Sequence, residues 1–363
     1  MKFKRLMALA MAMVCSATLI SCGKKESASS ASTSQSQESS QSIVEPVEPE
    51  PVLPFVNPLT GEGCETDIGK NRPIAIMLNN LKKAMPQLGV SQADIIYEMP
   101  AEGGITRMMA VFQSVDGVGE IGTVRSARDY YVSLAYGHEA IFLHAGGSPQ
   151  AYTKIKDLKL TALDCVNGPY EGTLFWRDPW RKKNRGMEHS VLTSGETINE
   201  LLPTYKWVTL PHREDFSEPL RFMGPDETAQ GAPASSLSVK FSNYKTGTFT
   251  YDPETRLYKI SQYDGPYVDG NTNEQVAVKN VLVLYTDVSN VKGDDKGRKA
   301  VRTTGEGKGQ FFCDGTVQDI TWHKKKDGSP LSYTNANGHP LELGVGHSYV
   351  NVVGSGTQVT VNG

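Results

Sequence analysis

Hydrophobic positions fall along this chain in three unlike patterns. A mainly apolar run extends from Leu6 to Ile20, a serine- and proline-rich stretch occupies Glu26 to Phe55, and from Asn57 onward short apolar runs alternate with turn residues. The third pattern predicts a folded body. Pro73 to Leu78 reads as a buried strand, and Asp94 to Met99 with Ile105 to Phe112 as a hairpin about the turn Glu102-Gly103-Gly104. Ser126, with Asp129 three residues on, forms a capping box for a helix to about Ala135. Ala140 to Leu143 is a short strand, and Ser148 followed by Pro149 opens a second helix through Tyr152 and Ile155.

The second half carries period-2 alternation instead. Leu237, Val239 and Phe241 alternate with polar residues, Thr248 to Tyr251 and Leu257 to Ile260 flank the turn Asp252-Pro253-Glu254-Thr255, and Val276 to Tyr285 reads as one strong strand. Phe311-Phe312-Cys313 and Ile320-Thr321-Trp322 flank Asp314-Gly315 as a hairpin, and Ser348 to Val353 alternates again. The glycines between Thr304 and Gly309 read as a flexible turn, because no lysine-serine pair or helix follows as a phosphate loop requires. The expectation is an α+β or α/β N-terminal domain, 57–230, followed by a β-rich C-terminal domain, 231–363.

The first pattern changes the picture of where this body resides. Lys2, Lys4 and Arg5 precede an apolar run of 15 residues that ends at Leu19-Ile20-Ser21-Cys22. A membrane-spanning helix needs about 20 apolar residues. The run reads instead as a lipoprotein signal peptide, 1–21, with Cys22 as the lipidated residue that anchors the mature chain to the extracytoplasmic face of the cell membrane. Residues 22–56 then form a tether. Nine serines between Ser27 and Ser42, followed by Glu45-Pro46, Glu48-Pro49 and Glu50-Pro51, cannot build a core. Thirty such residues reach roughly 100 Å at full stretch.

Charge then excludes one class of partner. The chain has 37 basic and 40 acidic residues, and loss of Lys2, Lys4 and Arg5 leaves 34 against 40. A net charge near −6 argues against nucleic acid. Cys64, Cys165 and Cys313 are too far apart for a metal pair or a dense disulfide scaffold, and they permit at most one internal disulfide. The seven histidines lack ligand spacing, so no metal is expected, and no glycine-rich fingerprint calls for a cofactor. Serine-nucleophile, zinc-protease and Walker motifs are missing too. Cys165, with no flanking positive residue, reads as a structural thiol rather than a nucleophile.

Candidate chemistry gathers at the two strand-turn-helix junctions. A helix start exposes unpaired N–H groups that hold phosphate or carboxylate. Arg125 and Arg128 surround Ser126 at the first junction, and guanidinium groups fork onto oxyanions. Gly146, Gly147 and Ser148 let a ligand approach the backbone at the second, where His144 ends the strand. The alternative is that the serines merely cap helices while Arg125 pairs with Glu98 or Glu102. A third cluster, Leu174 to Arg185, mixes Trp176 and Trp180 with Arg177, Arg181, Lys182, Lys183 and Arg185, able to stack a sugar and hold an acid group or to form an ordinary solvated surface. His189 follows it, and His144 with Glu102 or His189 makes a conceivable acid-base set.

The same segments carry a family resemblance. Arg72-Pro73-Ile74-Ala75-Ile76-Met77-Leu78-Asn79-Asn80, Pro86-Gln87, Ser91 to Glu98, Glu102 to Arg107, Ile121 to Arg128 and His144 to Ala151 together resemble the YerB-like lipoproteins, whose shared region is a domain of unknown function, DUF3048. The likeness covers nearly all of the globular body. It implies an α/β domain followed by a β-rich one, and no established reaction. One departure stands out: Met187-Glu188-His189-Ser190 occupies the place where Pro-His-Asn is expected. The candidate ligand set is Asn79, Glu98, Arg107, Arg125, Ser126, Arg128, Gly146, Gly147, Ser148, Arg177 and Arg185. The expected ligand is anionic, a cell-wall (peptidoglycan) fragment or acidic glycan. An envelope enzyme and a scaffold for an envelope protein are the rival readings.

Overall fold

The computed structural model describes residues 53–225 and 227–363, so the apolar N-terminal segment, Cys22 and the tether up to residue 52 lie outside the described residues. The first half supplies β1 (Ile74–Asn79), β2 (Ile95–Pro100), β3 (Thr106–Phe112), β4 (Glu120–Gly122), α1 (Asp129–Gly137), β5 (Ile141–His144), α2 (Pro149–Leu158), β6 (Ala162–Asp164), β7 (Trp176–Arg177), α3 (Pro179–Asn184), β8 (Val191–Ser194) and α4 (Gly195–Leu201). The second half adds β9 (Ser236–Lys240), β10 (Thr246–Asp252), β11 (Leu257–Gln262), β12 (Asn280–Thr286), β13 (Gly305–Cys313), β14 (Thr316–Lys324), β15 (Ser348–Gly354) and β16 (Gln358–Asn362). Strand is 41% and helix 16%, so sheet dominates the architecture.

One 11-stranded sheet organises both halves. Apart from the short strands Ala232–Pro233 and Ser332–Asn335, which both pair with β14, its members run in the order β14-β13-β12-β15-β2-β3-β1-β5-β6. The halves join where β15 lies parallel to β2, from Ser348 opposite Ile95 to Asn351 opposite Glu98. β1, β5 and β6 are also mutually parallel. β1 is buried along its whole length, which is why it reads as an unbroken apolar run. Ile74, Ile76 and Leu78 face one core, while Ala75 and Met77 face the other. Each such large side chain contributes about 1.5–3 kcal/mol relative to exposure.

Different layers cover the two faces. Tyr130, Tyr131, Val132 and Leu134 of α1 pack on the Met77 side. Leu237, Val239, Phe249 and Ile260, from the antiparallel sheet β11-β10-β9-β16, pack on the Leu78 side together with Ile121 and Val191 of the small sheet β4-β8-β7.

Local patterns were read correctly at several places. β2 and β3 form the expected hairpin, β10 and β11 pair across the Asp252–Thr255 turn, β13 and β14 pair across Asp314-Gly315, and Ser148 caps α2 by accepting from Ala151 N. Three readings are corrected. Ser126 does not cap α1: the helix starts at Asp129 behind Arg128, and the Ser126 hydroxyl donates to Ala145 O at 2.9 Å. The run Val276 to Tyr285 is two strands in two sheets, Ala277–Val278 on β11 and β12 in the large sheet. The glycines from Gly305 to Gly309 lie within β13, where a Cβ at Gly307 would stand 2.5 Å from the Trp322 indole nitrogen, so only glycine admits that ring.

Candidate functional site

Because β1, β5 and β6 run parallel, their carboxyl ends share one edge and bring Asn79, His144 and Asp164 to it. Such edges are where open α/β sheets accept ligands. The segment Thr123–Ala127 is laced across this edge. Asn79 N donates to Thr123 O, Arg125 N to Met77 O, Ala145 N to Arg125 O and Ala127 N to Gly146 O, all at 2.9–3.0 Å. The backbone of both predicted junctions is thereby paired within the protein.

The Glu102 carboxylate is enclosed by cations. Arg107 and Arg128 each place a guanidinium nitrogen 2.5 Å from its Oε1, and Arg128 Nε donates to Oε2 at 3.1 Å. Arg128 also donates to Ala127 O, and Arg107 to Ser126 O. Burial alone would push the carboxyl pKa up, but the two arginines overcome it and hold the group at about 2. Burial pushes the Arg107 guanidinium down to about 10. Both arginines are thus bound to the protein itself, and Arg125 pairs with neither Glu98 nor Glu102.

His144 is likewise committed. Its Nδ1 faces Gly146 O at 2.8 Å, and a carbonyl partner requires that nitrogen to carry the proton. Burial lowers the ring's pKa, with Asp164 opposing it from 3.8 Å. Asp164 accepts from Gly146 N, Val166 N, Tyr152 Oη and Asn167 Nδ2, so it organises the turn after β5. Gly146 holds φ 78°, a left-handed conformation that suits glycine. Glu102 is bonded to arginines and His144 to the Gly146 carbonyl, so neither contacts the other or His189.

A second cluster forms around His189. Asn79 Oδ1 accepts from Leu81 N, which orients the amide so that Asn79 Nδ2 donates to His189 Nδ1 at 2.8 Å. The proton of the neutral ring therefore sits on Nε2, 3.3 Å from Glu188 Oε1. Arg125 donates to Glu188 O at 3.0 Å and reaches Oε2 from 3.4 Å. Burial depresses the His189 pKa, Glu188 raises it, and Arg125, Lys83 and Arg185 each push it down again. Arg125 is the cation that meets the Glu188 carboxylate, whose side chain is 62% exposed. Arg185 lies 5.5 Å over the Trp180 ring, which is 59% exposed.

Two further arginines of the third cluster bond to the protein itself, while Lys182 and Lys183 are exposed. Arg177 pairs with Glu171 at 2.8 Å and donates to Met187 O. Arg181 is buried and donates to Ala84 O and Pro86 O, which clamps the loop after β1. Cys165 lies against Glu171, and burial followed by that charge pushes its thiol to about 12. Cys64, Cys165 and Cys313 are all free thiols. Among the described residues no three His, Cys, Asp or Glu side chains are grouped to hold a metal ion.

Two participants escaped the sequence reading. Lys245, from the second half, is buried with its Nζ 3.1 Å from Glu98 Oε1, and Asn80, Thr106 and Tyr349 donate to the same carboxylate. Burial lowers the Lys245 pKa and Glu98 partly restores it. Glu98 therefore fastens the two halves together. Lys83 was also missed, although Lys82-Lys83 between Asn79-Asn80 and Pro86 was a visible signal.

Residues 59–207 match the N-terminal domain, and 237–350 the C-terminal domain, of a family described as a protein of unknown function, DUF3048. The chain is 33% identical over 303 residues to YerB of Bacillus subtilis (strain 168), a protein named as a candidate lipoprotein, covering 82% of this chain and 85% of that one. The crystal structure of the Bacillus subtilis YerB protein superposes with a TM-score of 0.72 at 28% identity, over 84% of this chain and 99% of the other.

Proposed function

The chain belongs to the DUF3048 family, and from that premise we propose that it is a lipoprotein, anchored through Cys22 outside the cell membrane, that holds an anionic ligand such as a cell-wall fragment or acidic glycan around His189 and Arg125. One observation carries the reading. The exposed Glu188 carboxylate lies against Arg125 at 3.4 Å and His189 Nε2 at 3.3 Å, and the charges of Lys83 and Arg185 bear on the same imidazole. A ligand carboxylate or phosphate that displaces Glu188 finds the same donors already placed, and guanidinium and imidazole N–H groups favour an oxyanion. Trp180 beside Arg185 offers a face on which a sugar ring can stack, which favours a glycan among the anions.

The acid-base reading has less support, because His144 Nδ1 serves Gly146 O and Glu102 serves two arginines. Thermal unfolding of the full chain against muropeptides, teichoic-acid fragments, sugar phosphates and acidic oligosaccharides tests the proposal. A ligand at a hundredfold excess over its dissociation constant adds about 2.7 kcal/mol of stability. The expected result is a shift that Arg125→Ala abolishes. If nothing in the panel shifts the wild type, the ligand reading is lost and the scaffold reading takes its place.

A further inference from the structure

The short helix α3 inverts the usual placement of its side chains. Of its six residues only Arg181 is buried, while Trp180 is 59% exposed and Lys182, Lys183 and Asn184 also face solvent. A tryptophan is ordinarily the more buried of the two and an arginine the more exposed. Here the Arg181 guanidinium seats the helix, because its two bonds to Ala84 O and Pro86 O fix α3 beside the loop that carries Lys82 and Lys83. The two segments also meet at Gly186, where a Cβ would lie 4.0 Å from Lys83 Nζ. Met187, the next residue, is 53% exposed.

Nearby carboxylates do not neutralise these lysines. Asp178 accepts from Arg181 N, Glu171 pairs with Arg177, and Glu188 lies against Arg125. Lys82, Lys83, Lys182 and Lys183 are exposed and make no ion pair among the described residues. Residues 80–86 and 174–189 together hold seven lysines and arginines against two acids, Asp178 and Glu188, whereas the mature chain has 34 against 40. The sign of the charge is thus reversed locally, as a face for an anionic partner requires. Its exposed apolar side chains narrow the choice. Indole beside lysine is the composition of a membrane interface, where the ring lies at headgroup level and the ammonium groups meet lipid phosphates. A soluble acidic glycan can take the lysines and the indole, but it offers nothing to Met187.

We propose that α3 and the loop 82–86 form a docking face for a bilayer containing anionic phospholipid, on which Trp180 and Met187 reach headgroup level. For its nearness to a membrane the face rests on the Cys22 anchor proposed above, since residues 22–52 reach roughly 100 Å at full stretch. It does not need the anion seat at Arg125. Trp180 cannot stack on a sugar while it lies among headgroups, so the two uses compete.

The test uses the mature protein, isolated as the cell processes it. Vesicles of phosphatidylcholine, alone or with about one-third phosphatidylglycerol, carry a spin-labelled lipid that quenches tryptophan at headgroup depth. The anchor floats the protein with both, but quenching occurs only with phosphatidylglycerol, and Trp180→Phe removes it. Lys182→Gln combined with Lys183→Gln lowers the ratio of docked to undocked protein about thirtyfold. Both lysines are exposed, so the fold is kept. Salt at about 1 M releases the body, and Arg125→Ala leaves the quenching unchanged. Quenching that is absent, equal on both vesicles or untouched by the lysine pair overturns the face. So does quenching that Arg125→Ala abolishes, which assigns the headgroup to the anion seat. Binding of soluble teichoic acid without quenching on phosphatidylglycerol overturns it in favour of a glycan. Flotation with the phosphatidylglycerol vesicles alone removes the Cys22 anchor and supports the face.

Discussion

Glu102 and Glu188 are both carboxylates held by arginines, and almost everything else about them differs. Glu102 faces Arg107 and Arg128, whose side chains are 4% and 7% exposed, at 2.5 Å. Glu188 is 62% exposed and meets Arg125 only at 3.4 Å. In the first cluster the low dielectric makes each partner indispensable to the others, whereas in the second water screens the pair and the carboxylate can be exchanged. Identical residue types thus build a clamp in one place and a loose, solvent-facing pair in the other. What distinguishes them is enclosure.

The largest test of that contrast is Glu102→Gln. It leaves two buried guanidinium groups without a counter-charge, and urea unfolding is expected to register a loss of about 3–5 kcal/mol. A loss below about 1 kcal/mol would place Glu102 in the same class as an exposed ion pair.

Acid titration sharpens the same point. The folded-state pKa of Glu102 is depressed to about 2, below its unfolded value, so its contribution is complete above the ordinary carboxylate range and is lost as pH falls toward about 2. Wild-type stability should fall through that window more steeply than that of Glu102→Gln. Equal slopes would mean that the carboxylate titrates alike in both states.

Arg125→Ala should change stability by no more than about 1 kcal/mol in the same urea experiment, since it breaks a loose, partly exposed pair. A cost like that of Glu102→Gln would make Arg125 part of the clamp. His189 gives a smaller, pH-dependent effect. Its folded pKa is lowered, so protonation opposes folding, and stability declines as pH drops below about 6.5. A bound anion favours the protonated ring, so affinity for a sugar phosphate should rise over the same range, and His189→Gln should flatten that rise. The smallest change in stability belongs to Glu188→Gln, within about 0.5 kcal/mol, with tighter anion binding as its visible consequence. Weaker binding would identify Glu188 as a ligand group rather than a placeholder.

Legibility in the sequence followed the range of the interaction. The hairpins at Glu102-Gly103-Gly104 and Asp314-Gly315 and the Ser148 cap depend on residues a few positions apart, and they were readable. Ser126 has the residues of a capping box, yet its hydroxyl donates to Ala145 O because the chain at Arg125 is pinned between β1 and the turn after β5. Val276 to Tyr285 looks continuous, but it crosses between two sheets that only the packed structure separates. The candidate residues Asn79, Arg125 and His189 do come together, while the role of Lys245 was invisible because it depends on two segments meeting across more than 140 positions.

By itself the sequence determined the family, the strand and turn pattern of the body and the set of charged residues available to a site. Period, capping and turn chemistry act within a few residues, so they survive in one dimension. Only the tertiary structure decided which charges are neutralised inside the protein and which face solvent, that Glu98 joins Lys245 across the two halves, and that Glu188 meets Arg125 at the surface. The strength of a charge pair depends on burial and on partners brought from distant positions, and neither is written in the order of the residues.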